Sequence, residues 1–443
     1  MLFSSLSFLY FYLPAVLLGQ LLLPQAARLP FLFAASLLFY GWGEPGAVLV
    51  MLLCILLAYL AARAIKGDPP RRRLYLWLSI SLLLAILAYH KYAGMVVPGF
   101  VVALPAGISF FTFQAIAYVV DVYRGQIQAE TRLVPFGTFI SFFPQLIAGP
   151  IERYGDIRPQ LGGLRLSLPG LAQGARLFTI GLSKKLLLAN PMGQLWEILR
   201  QSPATNGIPG NWLGILAFAF QIYFDFSGYS DMARGLGRML GVTLRVNFNY
   251  PYTAASVTDF WRRWHITLSA WFREYVYIPL GGNRRGLPRQ LFNILAVWAL
   301  TGLWHGASWN FVLWGLYYAL LLTLEKLFLL RAWQALPGWL CWLPRLATML
   351  FVLLGWAIFA HSDPHQLGAA LRGLLRGGWA LPGQVQAQAL SYLPLFLACA
   401  LACVPWPLRL PAWAQNIALA GLLALCTAAL VTQGYNPFLY FRF

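Results

Sequence analysis

The chain has 443 residues, of which 60% are hydrophobic and only 10% charged, and its formal net charge is +19. Soluble domains carry about 25% charged residues, so this composition, with a mean hydropathy of +0.65, excludes a water-soluble globular protein. The surplus of Lys and Arg does not indicate nucleic acid: no basic tail, zinc-finger spacing or nucleic-acid module accompanies it, and the cytoplasmic loops of membrane proteins collect the same residues.

The N-terminal MLFSSLSFLYFYLPAVLLGQ lacks the positive n-region of a signal peptide and reads as a retained first helix. Apolar stretches near the length needed to cross a bilayer fall at about 2–22, 30–42, 46–62, 74–92, 101–120, 172–190, 211–229, 289–304, 308–330, 343–361, 389–407 and 412–432. The prediction is an all-α polytopic membrane protein with roughly ten to twelve transmembrane helices in one bundle. The loop RAIKGDPPRRR (63–73) places Arg63, Lys66, Arg71, Arg72 and Arg73 beside helix ends and marks the cytoplasmic side. Counting back three spans puts the N-terminus outside the cytoplasm.

Two inner stretches do not read as ordinary spans. PFGTFISFFPQLIAGP (135–150) is apolar but interrupted by proline and glycine, which predicts a re-entrant element. Residues 254–280 are too polar to face lipid and too aromatic for a solvated loop; an interfacial helix, or one dipping into the bundle, fits them. The five cysteines, Cys54, Cys341, Cys399, Cys403 and Cys426, show no disulfide framework or zinc spacing. His361 and His365 flank Asp363 and Pro364 in an outer loop, where proline breaks the spacing that would align two metal ligands, and no metal is expected.

Ionisable groups in membrane helices are expensive and mark candidate sites. In TGLWHGASWN (301–310), His305 sits at a helix-to-helix turn with Trp304, Ser308 and Asn310 close by. An imidazole there is either a general base near neutral pH or a hydrogen-bonded structural residue. In FWRRWHITLS (260–269), Trp261, His265 and Ser269 lie at helical spacing and would share a face. Arg262 and Arg263 in the same stretch, like the aromatics, are explained by interfacial anchoring; His265 is not. In FQIYFDFSGYSDMARG (220–235), Gln221, Asp225 and Asp231 interrupt an apolar run and suggest an Asp–Arg pair or hydrogen-bond network, or a proton relay. No GxSxG elbow, P-loop, HExxH or GxGxxG is present.

At these clusters the chain resembles the membrane-bound O-acyltransferase family, in particular its bacterial branch of alginate O-acetyltransferase membrane subunits. The stretches that carry the likeness are PAGISFFTFQAIAYVVDVYRG (105–125), FPQLIAGPIERY (143–154), FDFSGYSDMARGLGRMLG (224–241), NFNYPY (247–252), DFWRRWHITLSAWFREYVYIPLGGNRRG (259–286), LTGLWHGASWNFVLWG (300–315) and NPFLYFRF (436–443). The resemblance is dense over about 100–330, whereas 331–432 match poorly.

It implies a single domain over 1–443, with N-terminal helices (1–100), a catalytic core (101–330) and C-terminal helices (331–443) around a central funnel or tunnel. It assigns the key catalytic histidine to His305 and the second to His265. Arg262, Arg263, Arg284 and Arg285 would attract donor phosphates. Trp261, Trp304, Ser269, Asn310, Asp225 and Gln221 join them as candidate substrate-binding residues.

No resident cofactor is implied. Acetyl-CoA, or another acyl thioester, is the expected donor substrate on the cytoplasmic side. The acceptor would be a secreted polysaccharide such as alginate, reached through an outer-side acetyltransferase partner, with the protein in the bacterial inner membrane. The competing functions are D-alanyl transfer to teichoic acid from a carrier protein, and a transporter or flippase built from broken helices.

Overall fold

A computed structural model describes residues 1–97, 102–406, 411–432 and 434–439. Among these residues all regular structure is helical. Packing divides the chain into a first unit of 1–182, 228–246 and 419–432 and a second of 183–227, 247–418 and 433–443.

The first unit begins with α1 (Leu13–Leu22), α2 (Gln25–Gly41), α3 (Pro45–Gly67) and α4 (Arg72–Val96), followed by α5 (Ile108–Tyr123), α6 (Leu133–Ser141), α7 (Tyr154–Leu161) and α8 (Leu168–Ser183). Helix α3 packs against α4 and α5, and α2 packs against α6. The basic stretch expected as a loop at 63–73 is shorter as a loop: Arg63 and Lys66 lie in the end of α3, Arg72 and Arg73 begin α4, and the connection itself is 68–71.

Helix α6 stops at Ser141, and the chain continues through 142–150 without a helix although every residue from Pro135 to Glu152 is buried. Irregular backbone of this kind requires protein cover, and it falls on the stretch expected to be re-entrant. Beside it, Glu130 accepts hydrogen bonds from Tyr154 Oη at 2.6 Å and Arg158 Nε at 2.5 Å, and from the backbone N–H groups of Thr131 and Arg132. Burial pushes this carboxyl up, but those donors outweigh it and hold the group down at about 2.

The second unit contains α9 (Asn190–Leu199), the first part of α10 (Gly207–Met239), α11 (Val257–Arg263), α12 (Ile266–Phe272), α13 (Leu287–His305), α14 (Trp309–Leu324), α15 (Leu330–Gln334), α16 (Leu343–Ala360), α17 (Pro364–Leu375) and α18 (Gly383–Ala402). Helix α19 (Ala412–Thr432) follows. Among the described residues, six helical stretches are long and apolar enough to cross a membrane: Pro45–Gly67, Pro69–Met95, Trp309–Gln334, Gly338–Ala360, Gly383–Ala402 and Ala412–Thr432. Phe8–Leu22 and Ile108–Tyr123 are shorter apolar helices. The expected spans at 30–42, 211–229 and 289–304 lie within α2, α10 and α13, and that at 172–190 in α8 and the π-helical turn Lys184–Ala189 after it.

Helices α13 and α14 form a hairpin whose backbones nearly touch. A Cβ on Gly302 would meet Phe311 O at 2.3 Å, and one on Gly315 would meet Trp298 O at 2.3 Å. Small residues at facing positions allow this approach, and the tight hairpin fixes where the last residue of α13, His305, is presented.

Helix α11 is only seven residues long. It is begun by Ser256, whose hydroxyl accepts from Asp259 N at 3.0 Å. Its remaining free donors are taken by α14's continuation: the buried Glu325 accepts from Val257 N at 2.5 Å, Thr258 N at 2.8 Å and Thr258 Oγ1 at 2.8 Å. The stretch 254–280 therefore dips into protein. Phe260, Trp261, Trp264, Trp271 and Phe272 are all buried core, as the alternative of a stretch dipping into the bundle expects.

Two outcomes follow from these contacts. Glu325→Ala removes the acceptor of three donors, each worth ~1–3 kcal/mol when left buried and unmatched; thermal unfolding of the purified protein should show a large drop in Tm, with Glu325→Gln intermediate. Glu130 contributes stability above its ordinary value of 4.5 and loses it as pH falls toward about 2. An acid unfolding series should therefore show Glu130→Gln to be less stable than wild type near neutrality and to converge with it across that window.

Candidate active site

Within the second unit, a cavity of about 330 Å³ is lined by both His265 and His305, together with Trp261, Ser269, Thr301 and Leu268 among others. The two histidines come from separate elements, the α11–α12 corner and the C-terminus of α13. Both are buried, His265 at 1% and His305 at 7% exposure. The lining is mostly apolar, and its size suits a small-molecule site.

His305 is boxed by aromatic rings, with centroids 4.9 Å from Trp314 and 5.3 Å from Phe359. Trp304 is not among the cavity-lining residues; it packs against both rings, 6.0 Å from His265 and 5.0 Å from His305. Thr301 turns its hydroxyl onto Val297 O at 2.8 Å, so it presents little polarity to the cavity.

His265 has a left-handed backbone, φ 45° and ψ 52°. Such a conformation for a non-glycine residue costs on the order of 1–3 kcal/mol and persists only where the surroundings enforce it. The single helical face expected for Trp261, His265 and Ser269 is thus not formed, because the helix breaks at His265. The break still brings the three together: all line the cavity, and Ser269 Oγ donates to Trp261 O at 3.4 Å. Asn247, which the sequence reading did not single out, accepts at the corner from Thr267 N at 3.1 Å and Thr267 Oγ1 at 2.9 Å, and lies 3.3 Å from His265 Nδ1.

A second, more polar chamber of about 920 Å³ is lined by Arg262, Arg273, Arg284, Arg285, Tyr277 and residues of the GGNRRG loop. It shares Arg262, Arg273 and Tyr277 with the histidine cavity. Among the described residues, four guanidinium groups and no carboxylate line it, a composition suited to phosphate. Arg263 does not belong here: its Nε pairs with Asp259 at 2.9 Å and it is absent from both linings. Arg273 takes its place.

Three other candidates lie outside both chambers. Asn310 donates to Phe359 O at 2.9 Å and ties α14 to the end of α16. Asp225 forms a buried ion pair with Lys185 at 2.7 Å and accepts from Leu439 N at 2.8 Å. Lys185 also donates to Pro437 O, and Asn190 to Tyr435 O, so this network holds the C-terminal segment. Gln221 lies against Gly193 in the same region. Neither acidic nor amide side chain lines the histidine cavity, and Asp231 pairs with Arg234 at 3.2 Å, the Asp–Arg pair expected in that stretch. Of the NPFLYFRF match, 440–443 lie outside the described residues.

Residues 127–359, which include both chambers, match the membrane-bound O-acyltransferase family. The chain is 34% identical, over the whole of both sequences, to a Pseudomonas putida protein named probable alginate O-acetylase. A Pseudomonas fluorescens protein of the same name is 37% identical over 86% of this chain and 77% of its own. A Helicobacter pylori peptidoglycan O-acetyltransferase is 32% identical over 85% of this chain and 80% of its own. The match to the first of these continues through 331–432, the part that departs most from the motif pattern. The chain is an O-acyltransferase, a member of the membrane-bound O-acyltransferase family.

Proposed function

We propose that this protein moves an acetyl group from a cytoplasmic thioester, acetyl-CoA, to an alcohol arriving from the outer side, for O-acetylation of a secreted polysaccharide such as alginate. The observation that carries this reading is the pair of adjoining chambers. One is basic and large enough for a nucleotide phosphate group; the other is apolar and lined by two histidines. Relatives named for alginate O-acetylation, one of them matched over the whole of both chains, support the acyl group and the polymer.

In the proposed reaction His305 accepts the proton of the acceptor hydroxyl as its oxygen bonds to the thioester carbonyl carbon. Collapse of the tetrahedral intermediate breaks the carbon–sulfur bond, and the imidazolium returns its proton to the departing thiolate. The products are an acetyl ester and free coenzyme A. His265, on the same cavity wall, positions the thioester. Arg262, Arg273, Arg284 and Arg285 hold the donor phosphates.

The basic α3–α4 loop favours the bacterial inner membrane with that loop in the cytoplasm and the N-terminus outside. An outer acetyltransferase partner would receive the acetyl group before the polymer does.

The test is turnover of radiolabelled acetyl-CoA by purified protein, and polymer acetate in cells. His305→Ala should lower kcat by about 100-fold or more. Arg284→Glu with Arg285→Glu should raise the donor KM while leaving kcat near wild type. Turnover with a D-alanyl carrier protein but not acetyl-CoA would overturn the donor assignment. Unchanged polymer acetate in a His305→Ala strain that expresses the protein would overturn the catalytic one.

A further inference from the structure

One backbone and two side-chain contacts converge on the oxygen of Asn247, and their chemistry is more restrictive than their number. The N–H of Thr267 can only donate, so the Asn247 atom facing it at 3.1 Å is the side-chain oxygen. Thr267 Oγ1 reaches the same oxygen at 2.9 Å, and His265 Nδ1 faces it at 3.3 Å. An amide oxygen offers only lone pairs, so Nδ1 meets it as N–H. In a neutral imidazole one nitrogen carries the proton, and Nε2 is therefore the basic nitrogen of the ring.

The same residue enforces the corner. His265 occupies the N-cap position of α12 with a left-handed backbone and makes no side-chain cap bond. Asn247 supplies the missing cap from outside the helix, its side chain taking Thr267 N and its carbonyl taking Ile266 N at 3.0 Å. Two residues on, Asn249 N donates to Arg263 O at 2.9 Å, so the 247–249 segment takes up backbone groups on both sides of the corner.

We propose that Asn247 is a positioning residue for acyl transfer, fixing the His265 corner and the ring's Nδ1–H tautomer so that Nε2 serves the reaction. The proposal rests on the functional reading of the cavity given above. Phe226, Phe248 and Trp304 pack against the ring and carry no charge. The charged side chains of the cavity are Arg262 and Arg273. Among the described residues no carboxylate lines the cavity, and a charge placed at Asn247 would act on the ring at contact distance.

The experiment measures acetyl-CoA turnover across pH for wild type, Asn247→Ala, Asn247→Asp, His265→Ala and the His265→Ala/Asn247→Ala pair, in membranes with matched expression. Asn247→Ala should lose about 100-fold in kcat with donor KM little changed, as expected for a misplaced group. The pair should be no worse than His265→Ala alone, since the two residues act as one unit.

Asn247→Asp keeps the acceptor oxygen and should recover most of the activity. Its carboxylate stabilises the imidazolium, so the neutral ring appears only at higher pH, and the acidic limb should move up by about one pH unit or more. Full kcat in Asn247→Ala, additive losses in the pair, or an unshifted Asn247→Asp profile would each overturn the proposal. Should His265→Ala match wild type, the functional reading of His265 fails first.

Nitrogen-15 solid-state NMR of histidine-labelled protein, assigned with His265→Gln, reads the tautomer without any activity. An Nδ1–H signal for His265 that is lost in Asn247→Ala supports the proposal, and an Nε2–H tautomer in wild type refutes it.

Discussion

A helix of seven residues cannot satisfy its own backbone. Its first N–H groups and last carbonyls have no partners within it, and α11 and α12, each that short, are set in a largely buried stretch. Their orphan groups must find acceptors and donors on other elements, or the segment would not stay where it is. Glu325 and Ser256 answer for the start of α11, and Asn247 for the start of α12. The position of His265 is therefore set by three residues outside the two short helices rather than by helix propensity. His305 is fixed by a different device, the glycine-mediated contact between α13 and α14. The cavity exists because two independently anchored elements present their ends to it.

Charge is sorted by the same logic. Arginines that have a structural task are paired: Arg158 with Glu130, Arg263 with Asp259 and Arg234 with Asp231. Those around the large chamber, Arg262, Arg273, Arg284 and Arg285, share it with no acidic residue. A net charge of +19 is thus more than a topological signal. Part of it is concentrated where a polyanion could compensate it, and Arg262, Arg273 and Tyr277 line the histidine cavity as well as the large chamber.

Much of this was legible in the sequence. The three clusters at 220–235, 260–269 and 301–310 stood out because polar residues interrupt apolar runs, and two of the three hold the cavity histidines. What sequence periodicity could not give was the break at His265, since spacing assumes a continuous helix and a left-handed residue leaves no mark on composition. The separation of Arg262 from Arg263 was hidden for a related reason: adjacent residues on a short helix point in different directions, and only the location of Asp259 decides which is neutralised. A partial signal for the start of α11 was present in Ser256 and Asp259, a cap residue with an acid three positions later. Glu325 and Asn247 act across 68 and 20 residues of sequence, a distance over which local patterning is silent. Asp225 and Gln221 were drawn toward the site by their place in an apolar helix, yet a buried carboxylate is equally well explained by a buried lysine, and Lys185 is there.

The burial of both histidines bears on what kind of site this is. A ring packed in dry surroundings on every side would be structural; a ring exposed to bulk water would lose the electrostatic advantage of a low-dielectric setting. His265 is 1% exposed and His305 7%, yet each forms part of the wall of a cavity large enough for a small ligand. Aromatic neighbours hold the rings while one edge borders open space. The arginine-lined chamber shares Arg262, Arg273 and Tyr277 with this cavity, so its charge reaches the same space that the rings border, while uncharged aromatics are what the rings themselves pack against.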